Sequence, residues 1–363
     1  MSRARDLANL GSSADAGGLT GRNIVINGAM QVAQRGTSST SAGINTVDRW
    51  NAAFGGSGAA VTQSQESLAS SDAPYALGLR NYFRSTVTGT STDTAAYHQI
   101  LQYVEAQNMA QSGWNLTSTN SFITLSFWVR SSLAGTYTVY LRSMDGTSQA
   151  YAHEFTLSAN TWTKVTKTIP GDSNITINND NGQGLLVDIL PHYGTDYTTS
   201  SSTTNAWKAF DGADVTNDYA QNWLNTSGAT FDVTGVQLEV GSTATPFELE
   251  SFGTTLAKCQ RYYSNVASFS RDNFGQLYSS TQGKVGLKFP VIMRTAATVT
   301  ANSPFTSMLE ENGVAVRTPS AAAVNYNSKS GCIMSFTLTG TAGNGLFVRQ
   351  CPSDTTIEAD AEL

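Results

Sequence analysis

The residues best suited to chemistry in this chain are aromatic rings set in a polar stretch. Between Thr195 and Asn225 lie Tyr197, Trp207, Phe210, Tyr219 and Trp223, surrounded by Ser, Thr, Asn and Asp. Rings displayed in such a segment can stack on the apolar faces of a sugar, while amides and carboxylates hold its hydroxyls. The candidate stacking residues are therefore Tyr193, Tyr197, Trp207 and Trp223, with Asn205, Asp211 and Asn217 as their polar partners. The stretch is long for a connection in a compact β domain, where hairpin loops take about 2–5 residues. It either folds over a sheet as a lid, with the two tryptophans as anchors, or it presents its rings to a ligand.

Patterns that would signal catalysis are absent from the sequence. His98, His153 and His192 do not stand at a metal-binding spacing. His192, between Pro191 and Tyr193, reads as a loop histidine. No Gly-x-Ser-x-Gly elbow occurs, and the carboxylates are scattered, with no local acid and nucleophile pair. Cys259, Cys332 and Cys351 are odd in number and widely spaced, which reads as ordinary thiols rather than a disulfide framework or a zinc site. No repeat of about 20–30 residues marks a β-helix. A non-enzyme without cofactor or metal is expected.

Such side chains need elements to position them, and composition limits which. Of 363 residues only 13% are charged, while Ser and Thr make up roughly a quarter. That leaves little of the Glu, Lys and Arg that solvated helices draw on. Aromatics at 10% argue against disorder. The net charge is −6, with 21 basic against 27 acidic residues, and no basic run is present, so a nucleic-acid partner is not expected. No stretch of 18 apolar residues exists, so membrane insertion by a helix is not expected either. The N-terminus lacks an apolar run after Arg3 and Arg5, which reads as a protein made in a cytoplasm without a secretory signal.

The strands are legible as runs. Ser121–Arg130 places Ile123, Leu125, Phe127 and Val129 on one face, which should meet the core. Further strands are predicted over Ile24–Asn27, Thr136–Arg142, Thr161–Ile169, Gly184–Leu190 and Thr230–Val240. In the last, Gln237 and Glu239 should face solvent or an interface. Trp50 is expected to plug the core, with Asp48 tying down a nearby loop. Over Thr94–Ala110, Tyr97, Ile100, Leu101 and Val104 at i, i+3, i+4 and i+7 predict a short helix or a helix-like edge. Beyond a bridge at 251–263, strands recur at Gly286–Phe289, Ala297–Thr300 and Met334–Leu338, with Pro290 pinning the first to a sheet edge. The fold expected is all-β: an antiparallel two-sheet sandwich of the jelly-roll type over 23–250, then a smaller C-terminal β domain over 264–363. Residues 1–22 read as a short helix and a Gly-rich tether, either a frayed tail or a plug that orders on a partner.

Two motifs carry a resemblance. Asn23–Gly36 followed by Val47-Asp48-Arg49-Trp50, and Thr234–Glu248 followed by Cys259-Gln260-Arg261-Tyr262-Tyr263, resemble the two ends of a module in tailed-phage tail-fibre and tail-tip proteins. Phe289–Arg294 is similar to the start of the small β domain that follows in that family. The resemblance implies a carbohydrate-binding-module-like jelly roll in a virion fibre or spike, a homotrimer that binds a host-surface polysaccharide. It also implies an N-terminal segment, with Arg3, Arg5, Leu7 and Leu10, that attaches to other virion proteins. Related sugar-binding jelly rolls often hold calcium near the last strand. Here Thr234-Gly235 stands where an acidic pair would be expected and Asp232 alone cannot supply six to eight oxygens, so no metal is expected. The alternatives are a structural virion adaptor or head-decoration protein that uses the jelly roll only for packing, and a non-viral secreted lectin.

Overall fold

β-branched and aromatic residues recur at period two through most of the chain, and Gly, Asn and Asp break the runs every few residues, which favours many short strands. The computed structural model describes residues 21–266, 274–301, 309–313, 315–348 and 357–363. It divides into two units, one up to Phe252 and one from Gly253. The attachment segment with Arg3, Arg5, Leu7 and Leu10 lies outside the described residues, as does Cys351.

The first unit holds β1 (Ser38–Ser39), β2 (Asn51–Gly55), β3 (Ala60–Ser67), β4 (Asn81–Gly89), β5 (Tyr97–Glu105), β6 (Phe122–Ser131) and β7 (Gly135–Ser143). These are followed by β8 (Gln149–Leu157), β9 (Thr163–Pro170), β10 (Gln183–Tyr193), β11 (Thr198–Thr199), β12 (Trp207–Ala209), β13 (Thr216–Asn217) and β14 (Thr230–Val240). One six-stranded sheet has the order β1-β3-β4-β14-β6-β9, the other β12-β8-β7-β10-β5-β2, and every neighbouring pair is antiparallel. The chain switches sheets repeatedly, as in a jelly roll, and the two inner faces share one core. Ile123, Leu125, Phe127 and Val129 enter that core from β6, as their alternation requires, and meet Val139, Leu141, Val187 and Ile189 of the second sheet. Trp50 is wholly buried in it, its Nε1 donating to the Asn27 carbonyl at 3.2 Å. Asp48 holds the backbone N–H of Gln34 at 2.9 Å, so it does fasten the loop before it.

The second sheet is unusual in being buried on its outer face too. Leu101, Tyr140, Ala150, Ala152, Leu186 and Leu190 form a separate apolar layer there, joined by Val215 and Phe210 from the 195–225 excursion. This explains why β10 reads as an almost unbroken apolar run: both of its faces are covered.

Three expectations fail here for physical reasons. Residues 97–105 form strand β5, not a helix, and only Ala106–Ala110 is helical (α1). The inward row of β5 is His98, Ile100, Gln102 and Val104, so two polar residues interrupt the apolar alternation. Both are satisfied internally. His98 meets Ser85 Oγ and the Ala53 carbonyl, and Gln102 bonds both backbone groups of Ile26. With Leu101 packed on the other face, the apolar residues fall by accident at helical spacing.

Ile24–Asn27 is likewise not a strand but an irregular segment held by amide side chains. Asn23 Oδ1 accepts from the N–H groups of Val25 and Leu238, and Asn27, at φ 57°, accepts from Gln31 and Val32 and donates to the Val32 and Asp48 carbonyls. Gly28 is required beside it: a Cβ there would stand 2.0 Å from the Val236 carbonyl oxygen.

Gln237 and Glu239 are buried rather than solvated. The segment after β14 folds back over them, so that Thr245 donates to Glu239 and the Glu248 N–H donates to Gln237 Oε1 at 2.7 Å.

The second unit begins in helix α2 (Phe252–Gln260), which starts within the stretch read as a bridge. Its strands are β15 (Tyr263–Asn265), β16 (Phe274–Leu277), β17 (Gln282–Lys288), β18 (Thr298–Ala301) and β19 (Leu309–Glu311), then β20 (Ala315–Arg317), β21 (Ala321–Asn327), β22 (Gly331–Thr337), β23 (Gly345–Val348) and β24 (Ile357–Asp360). They form a three-stranded sheet, β15-β24-β18, and a seven-stranded sheet, β20-β19-β23-β16-β17-β22-β21. Leu277, Val285, Leu287, Met334, Phe336 and Leu346 supply its core. β17 lies between β16 and β22, so Pro290 does not mark an edge; the strand ends at Lys288, before the proline would remove a ladder donor. Cys259 and Cys332 are buried and outside any disulfide, and burial pushes the Cys332 thiol up to about 11.

Candidate functional site

The seven residues singled out in the sequence do not converge on one surface. Trp223, in a single 3₁₀ turn at Trp223–Asn225, is wholly buried in the main core, stacked on His98 with ring centroids 5.3 Å apart. It has no face to offer a ligand. Trp207, on edge strand β12 opposite Tyr151, also packs toward the main core and donates its Nε1–H to the Pro170 carbonyl at 2.7 Å. The two tryptophans are the anchors of the excursion. Asn205 is exposed and meets His153 Nδ1 at 2.7 Å. Asp211 is exposed and caps its own turn at the Ala213 N–H. Asn217, on β13, is tied to Ser202 and Glu154. Tyr193 and Tyr197 do come together, their ring centroids 5.1 Å apart, with Tyr97 edge-on to Tyr197 at 6.0 Å.

What these tyrosines border is a polar cluster on the outer face of the second sheet. Asp188 stands in the middle of β10, opposite Leu101 of β5 on one side and Tyr140 of β7 on the other. Two residues along, Leu186 stands opposite Tyr103 and Arg142, and Asn51 of β2 lies opposite Leu101. Strand alternation therefore puts Asn51, Gln99, Tyr103, Asp188, Tyr140 and Arg142 on one face. Asp188 and Tyr140 form a buried floor, and the other four, with Tyr193, are half-buried around it.

The floor holds buried polar atoms that find no partner within the chain. Gln99 Nε2 donates both to Asp188 Oδ2 and, at 2.7 Å, to the Tyr193 hydroxyl. Asp188 Oδ1, the Tyr140 hydroxyl, Arg142 Nε and Asn51 Oδ1 are buried and have no hydrogen-bond partner within the chain. Four such atoms on one face are unusual, because buried polar groups are nearly always paired. Arg142 lies flat over Phe210, its guanidinium carbon 3.5 Å from the ring centroid. Burial lifts the Asp188 carboxyl well above the usual carboxylate range, against the opposing pull of the Gln99 hydrogen bond. Burial, with Asp188 as a further cause, likewise raises the Tyr193 hydroxyl. The face thus gathers a carboxyl, phenols, amides and one guanidinium, framed by rings. Those are the groups that bind a polyhydroxylated ligand.

A sign-definite prediction follows for Asp188. Its raised folded-state pKa means that, as pH climbs above the ordinary value near 3.8, the unfolded chain releases this proton while the folded chain retains it. Folding then loses up to about 1.4 kcal/mol per pH unit until the folded pKa is reached. Asp188→Asn removes that loss. The variant is expected to melt higher than the parent at pH 7–8 and to match it near pH 4. Equal shifts at both pH values in thermal melts would contradict the assignment.

The structure also brings Ser85 Oγ within 2.7 Å of His98 Nε2, the geometry of a nucleophile and its base. Both are wholly buried, His98 Nδ1 faces the Ala53 carbonyl at 3.2 Å, and burial drives the imidazole down to about 3. The pair sits beneath Trp223 and reads as a core hydrogen bond. Asp232 of β14 is occupied by the guanidiniums of Arg84 and Arg130. Among the described residues no group of three or more His, Cys, Asp or Glu side chains is placed to hold a metal ion, and no helix is long and apolar enough to cross a membrane.

One signal for this face was present in the sequence: a lone carboxylate inside the most apolar strand. Tyr103, Tyr140 and Gln99 carry no comparable local mark.

No protein-family model matches the chain, and no curated protein matches it. Among solved structures it is similar to the enzymatically active domain of tailspike protein 4 from bacteriophage CBA120, at 11% identity over 60% of this chain and 21% of that one, with a TM-score of 0.34. The chain thus spans about a fifth of that tailspike structure. A family 11 carbohydrate-binding module from Clostridium thermocellum, in complex with a β-1,3-1,4-mixed-linked tetrasaccharide, is similar at 12% identity over 58% of this chain and 98% of that one, TM-score 0.28. A cyclase from Fischerella sp. TAU is similar at 11% identity over 61% of this chain and 98% of that one, TM-score 0.35.

Proposed function

We propose that this protein is a non-catalytic glycan-binding component of a phage virion, a trimeric fibre or spike that contacts a host-surface saccharide. The observation that carries the binding half of this reading is the half-buried rim of polar and aromatic side chains, Asn51, Gln99, Tyr103, Arg142 and Tyr193, around the buried Asp188 and Tyr140 on the outer face of the second sheet. The half-buried Tyr103, Tyr193 and Tyr197 supply stacking surface around it. The half-exposed amides and guanidinium of the rim are groups that meet a sugar's hydroxyls, and the buried Asp188 holds Gln99 among them. The virion half rests on the tail-fibre motifs at 23–50 and 234–263. Avidity from three copies would compensate for the modest affinity of one small saccharide face.

The experiment is a neutral-glycan array read with the whole chain and two variants. Tyr103→Ala is expected to lose most of the signal, at least tenfold, while melting within about 1 kcal/mol of the parent. Trp207→Ala is expected to melt lower yet retain binding per folded molecule, because its ring faces the main core. Glycan signal that survives Tyr103→Ala and Tyr193→Ala would remove the site from this face. A chain that binds no glycan but joins virions would establish the packing-only adaptor instead.

A further inference from the structure

The seven-stranded sheet of the second unit buries one face, and among the described residues nothing covers the middle of the other. Along β17 the alternation is complete: Gly283, Val285 and Leu287 point to the core, and Gln282, Lys284, Gly286 and Lys288 point away from it. On that outer face runs a groove of about 550 Å³, continued by a second of about 380 Å³ through their shared Phe274, Gly286 and Ile333. Both volumes fall in the range of small-ligand sites, about 300–1,000 Å³.

Two rings stand at the sides of the groove and are displayed to an unusual degree, Phe274 at 62% and Tyr326 at 69% exposure. Between them the floor is Gly286, opposite Ile333, which in turn stands opposite Tyr326. A Cβ at Gly286 would meet nothing within 4 Å, so the glycine leaves a slot and answers no backbone demand. The remaining walls are Asn327, Ser328, Ser330 and Gln276. Lys284 and Lys288 flank the slot on the same strand, about 13 Å apart along it, and Lys284 Nζ sits 4.4 Å from the Tyr278 ring centroid. No described residue lining either groove is an Asp or Glu, in a chain whose net charge is −6. The groove lining carries two lysines and no described carboxylate, and Glu310 on the same face stands three strands from Gly286.

We infer that this groove is a second saccharide site, distinct from the Asp188 face, that takes an anionic polysaccharide. Phe274 and Tyr326 stack on sugar rings laid across Gly286, and Lys284 and Lys288 pair with acidic groups borne along the chain. The charge complementarity selects this occupant over a neutral glycan, and the hydroxyl and amide walls select it over an apolar peptide. The carboxylate of a uronate and the sulfate of a sulfated sugar share the chemistry, and two probes separate them.

The test uses the whole chain with polygalacturonate, dextran sulfate and unmodified dextran in isothermal titration at low and moderate salt. Binding to at least one anionic probe, weakening as salt rises, and no binding to dextran are expected. Gly286→Val fills the slot with a strand-favouring residue and should leave melting unchanged while reducing binding at least tenfold. Lys284→Ala with Lys288→Ala should reduce affinity and flatten the salt dependence. Tyr103→Ala, which addresses the Asp188 face, should leave anionic binding intact, so failure of one site is distinguishable from failure of the other. The inference is overturned if neither anionic probe binds, if binding survives Gly286→Val, or if Gly286→Val instead changes the oligomeric state, which would make the face a contact between copies.

Discussion

Trp223→Ala is expected to destabilise the first unit by about 3–5 kcal/mol, the cost of deleting a buried aromatic and leaving its cavity. For a domain of this size that lowers Tm by on the order of 10 °C. The ring is wholly enclosed, lies nearly parallel to His98, meets Phe231 edge-on at 6.3 Å and donates its Nε1–H to the Thr230 carbonyl at 3.2 Å. Its removal leaves a void between the two sheets, while the Thr230 carbonyl keeps the Ser132 N–H at 3.0 Å. Trp223→Phe keeps most of the volume and should recover more than half of the loss. Tyr197→Ala, on the half-buried ring pair, should stay within about 1 kcal/mol of the parent. Thermal melts of the three variants decide the matter, and a Trp223→Ala protein that melts with the parent would show that the ring does not seal the core.

The second large effect is expected at Asp232. Its carboxylate is buried on β14 between two arginines: Arg84 Nε at 2.8 Å from Oδ1, and Arg130 Nη2 at 2.8 Å from Oδ2. Arg130 also lies over the Trp162 ring at 4.6 Å. Asp232→Ala leaves two like charges facing each other with their shared counter-ion gone. Removing one partner of a buried pair costs about 3–5 kcal/mol, and the partial exposure of both guanidiniums places this case toward the lower end. Replacing all three groups, as Asp232→Leu with Arg84→Met and Arg130→Met, should restore most of the stability, because the buried carboxylate and its two guanidiniums leave together and only the partly exposed Asp72, 3.5 Å from Arg130 Nη1, loses a partner. Denaturant midpoints test both statements. If the single variant were as stable as the triple, the ion cluster would contribute nothing.

Which parts of this molecule could be read from the residues follows from how local each signal is. β6, β7, β9 and β14 were legible because alternation of side chains between two faces is a property of the strand itself, and β10 because a short apolar run marks a strand covered on both faces. Trp50 as a core residue was legible for the same kind of reason, since a large ring beside a strand start has few other places to go. Strand β5 was not legible. Its inward row carries His98 and Gln102, and only Ser85 and the Ile26 backbone, each distant in sequence, make those two polar side chains acceptable inside. Gln237 and Glu239 were misread similarly: their alternation is real, but the cover over them arrives from Thr245–Glu248.

By itself, then, the sequence determined the class of fold, the main sandwich strands, the second β domain and the presence of a long ring-bearing excursion. It did so through composition and period, which short-range sterics and the hydrophobic effect translate directly into strands with a buried face. The place where a ligand could sit was decided only by tertiary structure. The excursion turned its tryptophans inward as anchors, and the unpaired buried polar atoms gathered instead beneath a half-buried polar rim, on Asp188, Tyr140, Arg142 and Asn51. Those four residues come from three strands far apart in sequence, β2, β7 and β10, and only the pairing register sets Asp188 opposite Tyr140 and Asn51 opposite Leu101. Register across a sheet is a long-range quantity, set by the packing of every strand at once. No window of neighbouring residues contains it.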